Sequence, residues 1–75
     1  MTTVDARGLA CPLPLTMAKR RMANLRAGDT LLVLATDPEA PVDLGAWASE
    51  AGHTFSQRHL PGWTEFQLVK GGESG

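Results

Sequence analysis

Seventy-five residues make one domain at most, and a chain this short buries only about 60% of the surface its unfolded form exposes. The core is therefore thin, a large internal substrate cavity is not expected, and any chemistry should be offered at the surface to a macromolecular partner. The net charge of −1 hides a polarity: residues 1–26 carry five cationic side chains against Asp5 alone, while the remainder carries two against seven acidic ones. A basic first third suits an acidic partner surface or simply a solvated helix.

One cysteine excludes an intramolecular disulfide, a Cys-x-x-Cys redox pair and an all-cysteine metal site. Without a disulfide framework, a reducing, cytoplasmic setting is expected. Met1-Thr2-Thr3-Val4-Asp5 lacks the apolar core of a signal peptide, and the apolar run Leu31 to Ala35 is too short to span a bilayer.

In chain order, Thr3 to Arg7 reads as a strand stopped by Gly8. From Pro12 the pattern turns helical, with Leu15, Ala18, Met22 and Leu25 in one apolar stripe and Gly28 at the position that ends the helix. Thr30 to Thr36 is a strand apolar on both faces, as a central strand is. One of its faces, through Leu31 and Val33 or through Leu32 and Leu34, should look outward and leave a partly apolar surface, suited to a weak homodimer or to docking. Asp37-Pro38-Glu39-Ala40-Pro41 turns into a second helix with a stripe of Leu44, Trp47, Ala48 and Ala51, ended by Gly52. Thr54 to Leu60 and Trp63 to Lys70 form a hairpin across Pro61-Gly62, with Phe66 and Leu68 facing the core. Residues 71–75 are Gly-rich and expected to be a disordered tail on a single domain of residues 1–70.

The order β-α-β-α-β-β implies an α+β, two-layer sandwich: a four-stranded mixed sheet with both helices on one face. A right-handed first crossover makes the first two strands parallel. Cys11 and Asp37 then share one edge of the sheet, near two helix N-termini.

At that edge Cys11 precedes a proline, which favours the extended conformation of an N-cap, with Pro12 as first helical residue. Pro14 removes a further first-turn donor. A thiolate accepting a free N–H at the helix N-terminus would have a lowered pKa. Leu13 also precedes a proline, which would let the helix start later and leave Cys11 just outside it. A Cys-His hydrolase needs a base within reach; His53 should lie at the opposite edge, His59, late in the third strand, is left open by the pattern, and neither has a motif around it. One Cys and two scattered His match no zinc spacing. A persulfide carrier needs only one thiol, since exchange proceeds by attack of one sulfur on another. A buried, inert cysteine beside a proline-started helix fits the same residues, and the pattern alone leaves both readings open.

The stretch Asp5-Ala6-Arg7-Gly8-Leu9-Ala10-Cys11-Pro12-Leu13-Pro14 resembles the opening signature of the TusA (SirA-like) family, an Asp-x-x-Gly-Leu lead-in followed by Cys-Pro-x-Pro. The likeness continues through Gly28-Asp29, Thr36-Asp37-Pro38, Asp43-Leu44, Gly52-His53 and Phe66-Gln67-Leu68-Val69-Lys70. The resemblance implies a sulfur carrier of sulfurtransferase type. It would take a persulfide on Cys11 from a cysteine desulfurase or rhodanese-like donor and pass it to an acceptor protein. It implies outlets in tRNA thiolation, molybdenum-cofactor assembly, sulfur oxidation or selenium handling. Leu13 stands where the tRNA-thiolation members carry glutamate, and Ala48 where many relatives carry a second cysteine.

Beside Cys11, Pro12 and Pro14 are expected to hold the thiol rigidly. Arg7 could stabilise the thiolate or a partner's carboxylate. Asp37 could orient a donor's basic residue, or cap the turn into the second helix. Direct contact between a carboxylate and the sulfur is not expected, because it would raise the thiol pKa. Lys19, Arg20 and Arg21 could dock an acidic partner. The alternative function is a regulatory or RNA- or protein-docking module with a structural Cys11. Stable nucleic-acid binding is not expected, because no aromatic residues interleave with the basic cluster. Neither a metal nor another cofactor is called for.

Overall fold

Alternation decides the first strand: in β1 (Thr2–Ala6), Val4 and Ala6 are buried while Thr3 and Asp5 face out. In the computed structural model, which describes residues 2–71, β1 is followed by α1 (Leu13–Ala23), β2 (Thr30–Ala35), α2 (Ala40–Ala51), β3 (Thr54–Leu60) and β4 (Trp63–Val69). The strands lie in the order β1-β2-β4-β3, with β1 parallel to β2 and the other neighbours antiparallel. The mixed sheet and its two helices are the α+β sandwich that the sequence implies. The expected tail, Gly71 apart, falls outside the described residues, and Gly71 donates its N–H to His53 Nδ1 at 3.0 Å.

Helix α1 buries Pro14, Ala18 and Met22, one residue per turn, while Leu15, Met17 and Leu25 pack at the margin of the core. Its start differs from the expected one. Pro12, with φ −101° and ψ 20°, is the N-cap, and Leu13 is the first helical residue. Leu13 N–H bonds Ala10 O at 2.9 Å and Thr16 N–H bonds Pro12 O at 3.0 Å, so the turn closes one residue later than a Cys11 cap requires.

The end of α1 is also earlier than Gly28. The helix stops at Ala23, and the carbonyls of Met22 and Leu25 are taken by Lys70 Nζ at 3.1 and 2.6 Å. This cation from the end of β4 adds a second donor to Met22 O, which also accepts the Leu25 N–H at 3.0 Å, bonds Leu25 O, and complements the negative helix end. Gly28 is left-handed (φ +90°) in the following turn, which Asp29 closes through its N–H to Arg26 O and its Oδ2 from Arg26 N–H.

In β2, Leu31, Val33 and Ala35 point into the core, and Leu32 and Leu34 are half-buried on the uncovered face. Helix α2 buries Ala40, Leu44 and Ala48; Trp47 is only half-buried and Ala51 is exposed, so the stripe is one turn earlier than the spacing suggests. Gly52 (φ +80°) ends α2, its N–H bonding Ala48 O, a position in which a Cβ would be strained. Leu60 pairs with Trp63 across Pro61-Gly62, and Gly62 has the φ of +90° that a type II turn demands. Phe66 and Leu68 are fully buried, with Phe55 stacked on Phe66 at 5.8 Å between centroids. Each large side chain buried here contributes about 1.5–3 kcal/mol, so Phe66, Leu31, Leu44 and Leu68 dominate the stabilisation. Because β1 and β2 are parallel, their C-terminal ends and the starts of both helices meet at one rim.

Candidate functional site

That rim carries Cys11, whose thiol is exposed and free. The loop from β1 approaches the loop from β2 through Gly8, whose N–H bonds Thr36 Oγ1 at 2.9 Å. One step on, Cys11 N–H donates to Asp37 Oδ2 at 2.7 Å, and the other oxygen of Asp37 faces Glu39 N–H at 3.4 Å. Asp37 therefore does two things expected of it: it lies beside Cys11, and it bonds the backbone at the entry to α2. Pro12 and Pro14 follow directly, with Pro14 buried beneath the rim and Pro12 exposed at the cap.

The sulfur itself has a partner the sequence reading does not name. Cys11 Sγ donates to Asp43 Oδ2 at 2.9 Å. Asp43 sits in the first turn of α2, where an acidic side chain complements the helix dipole. The first turn of α2 thus leans over the thiol. Asp43 belonged to a matching stretch of the sequence, but nothing in its spacing linked it to Cys11, which is 32 positions away.

The electrostatics of the thiol are the reverse of the expected ones. Its pKa is pushed up to about 11: the hydrogen bond to Asp43 contributes most, then desolvation, then the charges of Asp43, Asp37 and Glu39. The expectation of a lowered thiol pKa is thus corrected. A helix N-terminus does lie nearby, but a carboxylate in contact outweighs a partial dipole charge. The expectation that no carboxylate touches the sulfur is corrected by the same bond.

Arg7 does not turn to the thiol. Its Nε and Nη2 form a two-point pair with Asp5, each at 2.9 Å, and its guanidinium lies 5.0 Å from the centre of the Trp63 ring. The pair holds the Asp5 carboxyl down at about 2. Lys19, Arg20 and Arg21 are exposed in the second half of α1. Lys19 lines a cleft of about 400 Å³ with Met22, Ala23, Trp47, His53 and Lys70 at the far end of the helices. His53 is in that cleft, held below its ordinary pKa by burial and by Lys70. The twelve residues of α2, about 18 Å of helix, separate that end from Cys11. His59 is at the thiol's end of the sheet, but its ring bonds Thr64 Oγ1 at 3.2 Å.

Among the described residues there is no group of three or more His, Cys, Asp or Glu placed to hold a metal ion. No helix among them is long and apolar enough to cross a membrane. The rim can therefore present one thiol, hydrogen-bonded to a carboxylate, with an exposed apolar side chain in the first turn of each helix: Leu13 (48% exposed) in α1 and Val42 (65%) in α2.

Comparison with known proteins gives this arrangement a context. The profile of the family described as Sulfurtransferase TusA matches residues 2–70. The sulfur carrier protein TusA of Allochromatium vinosum is 36% identical over 67 residues, covering 89% of this chain and 88% of that protein. YrkF of Bacillus subtilis is 44% identical over 71 residues, which span 93% of this chain but only 38% of YrkF. The crystal structure of a SirA-like protein from Desulfitobacterium hafniense superposes with a TM-score of 0.86 at 32% identity, covering 95% of this chain and 99% of that one.

Proposed function

The chain belongs to the TusA family, and on that premise we propose that it carries sulfur as a persulfide on Cys11, received from a donor protein and yielded to an acceptor protein. The observation that carries this reading is an exposed, lone thiol at the rim where both helices begin. The sulfur exchange itself needs no second thiol on this chain. Cys11 Sγ bonds the outer sulfur of a donor persulfide, the donor's S–S bond breaks, and the inner donor sulfur leaves as a thiol. The reverse steps unload it onto an acceptor thiol. A second thiol beside Cys11 would collapse the persulfide to a disulfide, and the chain has no other cysteine.

Leu13 and Val42, exposed in the first turns of the two helices, add apolar surface to this rim, which suits transient burial of the sulfur under a partner. Asp37 and Glu39 favour a donor with a basic residue beside its own persulfide, either a cysteine desulfurase or a rhodanese-like protein. Lys19, Arg20 and Arg21 are proposed as a second contact for an acidic patch on the same partner, acting in a reducing compartment such as the cytoplasm. The outlets open to this reading are tRNA thiolation, sulfur oxidation and cofactor sulfuration.

The alternative, a docking module with a structural Cys11, fits a buried thiol better than an exposed one. Intact mass after incubation with polysulfide, or with a cysteine desulfurase and free cysteine, separates the two. The relay reading expects a gain of about 32 Da, one sulfur atom, that is absent from Cys11→Ser. No gain under either condition overturns it.

A further inference from the structure

We propose that Asp43 moves the proton in this sulfur relay: it takes the hydrogen of Cys11 Sγ as the sulfur attacks, and delivers it to the donor sulfur that leaves. The inference rests on the relay reading and goes beyond it, by assigning a chemical role to a residue in contact with the reacting atom.

Geometry carries the argument. Asp43 Oδ2 is 2.9 Å from Sγ, within the reach a general base requires. The other candidates are engaged or distant. Asp37 spends Oδ2 on the Cys11 N–H and turns Oδ1 toward Glu39 N–H. Arg7 is held by Asp5, His59 bonds Thr64, and His53 bonds Gly71 at the opposite end. Among the described residues the charged groups felt by the thiol are Asp43, Asp37 and Glu39, all acidic. Such a setting suppresses the free thiolate. With the thiol near 11, only on the order of one molecule in ten thousand carries it at pH 7. A relay that waited for that species would be slow. The contact that suppresses the thiolate also supplies a path for the proton.

The step balances without an added reductant or oxidant. One S–S bond forms between Sγ and the donor's outer sulfur, and the donor's own S–S bond breaks. The proton passes from Sγ to Asp43 and on to the departing thiolate. Sulfane sulfur moves and no net oxidation occurs. In unloading, Asp43 takes the proton of the attacking acceptor thiol and gives it to Sγ as Cys11 becomes the leaving group.

The test compares loading of wild type, Asp43→Asn and Asp43→Glu by glutathione persulfide, read as persulfide on Cys11 by intact mass from pH 6 to 8. The ratio of wild-type to variant rates is the informative quantity, because the donor's own titration cancels in it. Wild type should outrun Asp43→Asn by about 10²-fold at pH 6, the ratio falling about tenfold per pH unit as the variant gains free thiolate. Asp43→Glu, which keeps a carboxylate, should track the pH dependence of wild type. Iodoacetamide, which needs only the thiolate, should alkylate Asp43→Asn faster than wild type at pH 8, by about tenfold once its lower nucleophilicity is allowed for. That reversal shows that the variant's thiol is accessible, and a far-UV circular dichroism spectrum matching wild type shows that it is folded. A ratio near one already at pH 6, or one independent of pH, overturns the role of Asp43 while leaving the relay intact. Failure of wild type to gain sulfur from any donor removes the relay reading itself.

Discussion

The tether between the two rim loops gives a stability prediction that can be worked from one side chain. Asp37 Oδ2 accepts the Cys11 N–H at 2.7 Å, while its Oδ1 contact with Glu39 N–H is long at 3.4 Å and adds little. A hydrogen bond to a charged group contributes about 1.5–3 kcal/mol, but Cys11 is exposed and water can replace the lost acceptor. Solvent access brings the contribution to the foot of that range and below it, about 1–2 kcal/mol. For a domain of this size each kcal/mol shifts Tm by about 6 °C. Asp37→Ala should therefore melt about 6–12 °C below wild type at pH 7, followed by far-UV circular dichroism. Asp37→Asn keeps a neutral acceptor on the same frame and should lose about half as much. A Tm for Asp37→Ala within about 2 °C of wild type would refute the reasoning, because the tether would then contribute nothing that water does not.

Leu44 is fully buried under α2, and Leu44→Ala should cost about 3–4 kcal/mol through lost transfer energy and the cavity left behind. That is a large share of the about 4–11 kcal/mol expected for this length, and the urea midpoint should fall accordingly. Lys70→Met should cost about 1–2 kcal/mol by removing charged hydrogen bonds to Leu25 O and Met22 O, the latter keeping its bond from Leu25 N–H. The same variant should flatten one pH dependence. Burial and Lys70 hold His53 below 6.5, so the unfolded chain takes up its proton first as pH falls. Stability from this group is complete above about 6.5 and is lost as pH drops below it toward the folded value. Removing Lys70 relieves part of the depression, so the fall in Tm between pH 7.5 and 5.5 should be smaller in the variant than in wild type.

Much of the fold was legible because its signals are local. Alternation at Phe66 and Leu68, the apolar run of β2, and Gly52 and Gly62 at positive φ mark elements and turns without reference to the rest of the chain. The parallel pairing of β1 and β2 followed from the handedness of the crossover, and it placed Asp37 beside Cys11. The end of α1 was not legible, because the cation that receives its carbonyls, Lys70, is more than forty residues away. The chemistry at the sulfur was hidden for the same reason. A proline-started helix argues for a low thiol pKa, and only the packing of α2 against the rim brings the Asp43 carboxylate into contact and reverses the sign. Arg7 looked free to serve the thiol, yet Asp5, two residues before it on the outward side of β1, was the nearer partner.

The central claim, that Cys11 accepts and yields one sulfur atom, is tested most directly by following that atom through both transfers. The protein is loaded with glutathione persulfide, desalted, and mixed with an excess of an acceptor thiol. The tryptic peptide from Gly8 to Lys19 is then weighed before and after mixing. The account predicts a gain of about 32 Da on that peptide, lost on mixing as the same mass appears on the acceptor. A peptide that never gains the sulfur, or that keeps it in the presence of every acceptor, would contradict it.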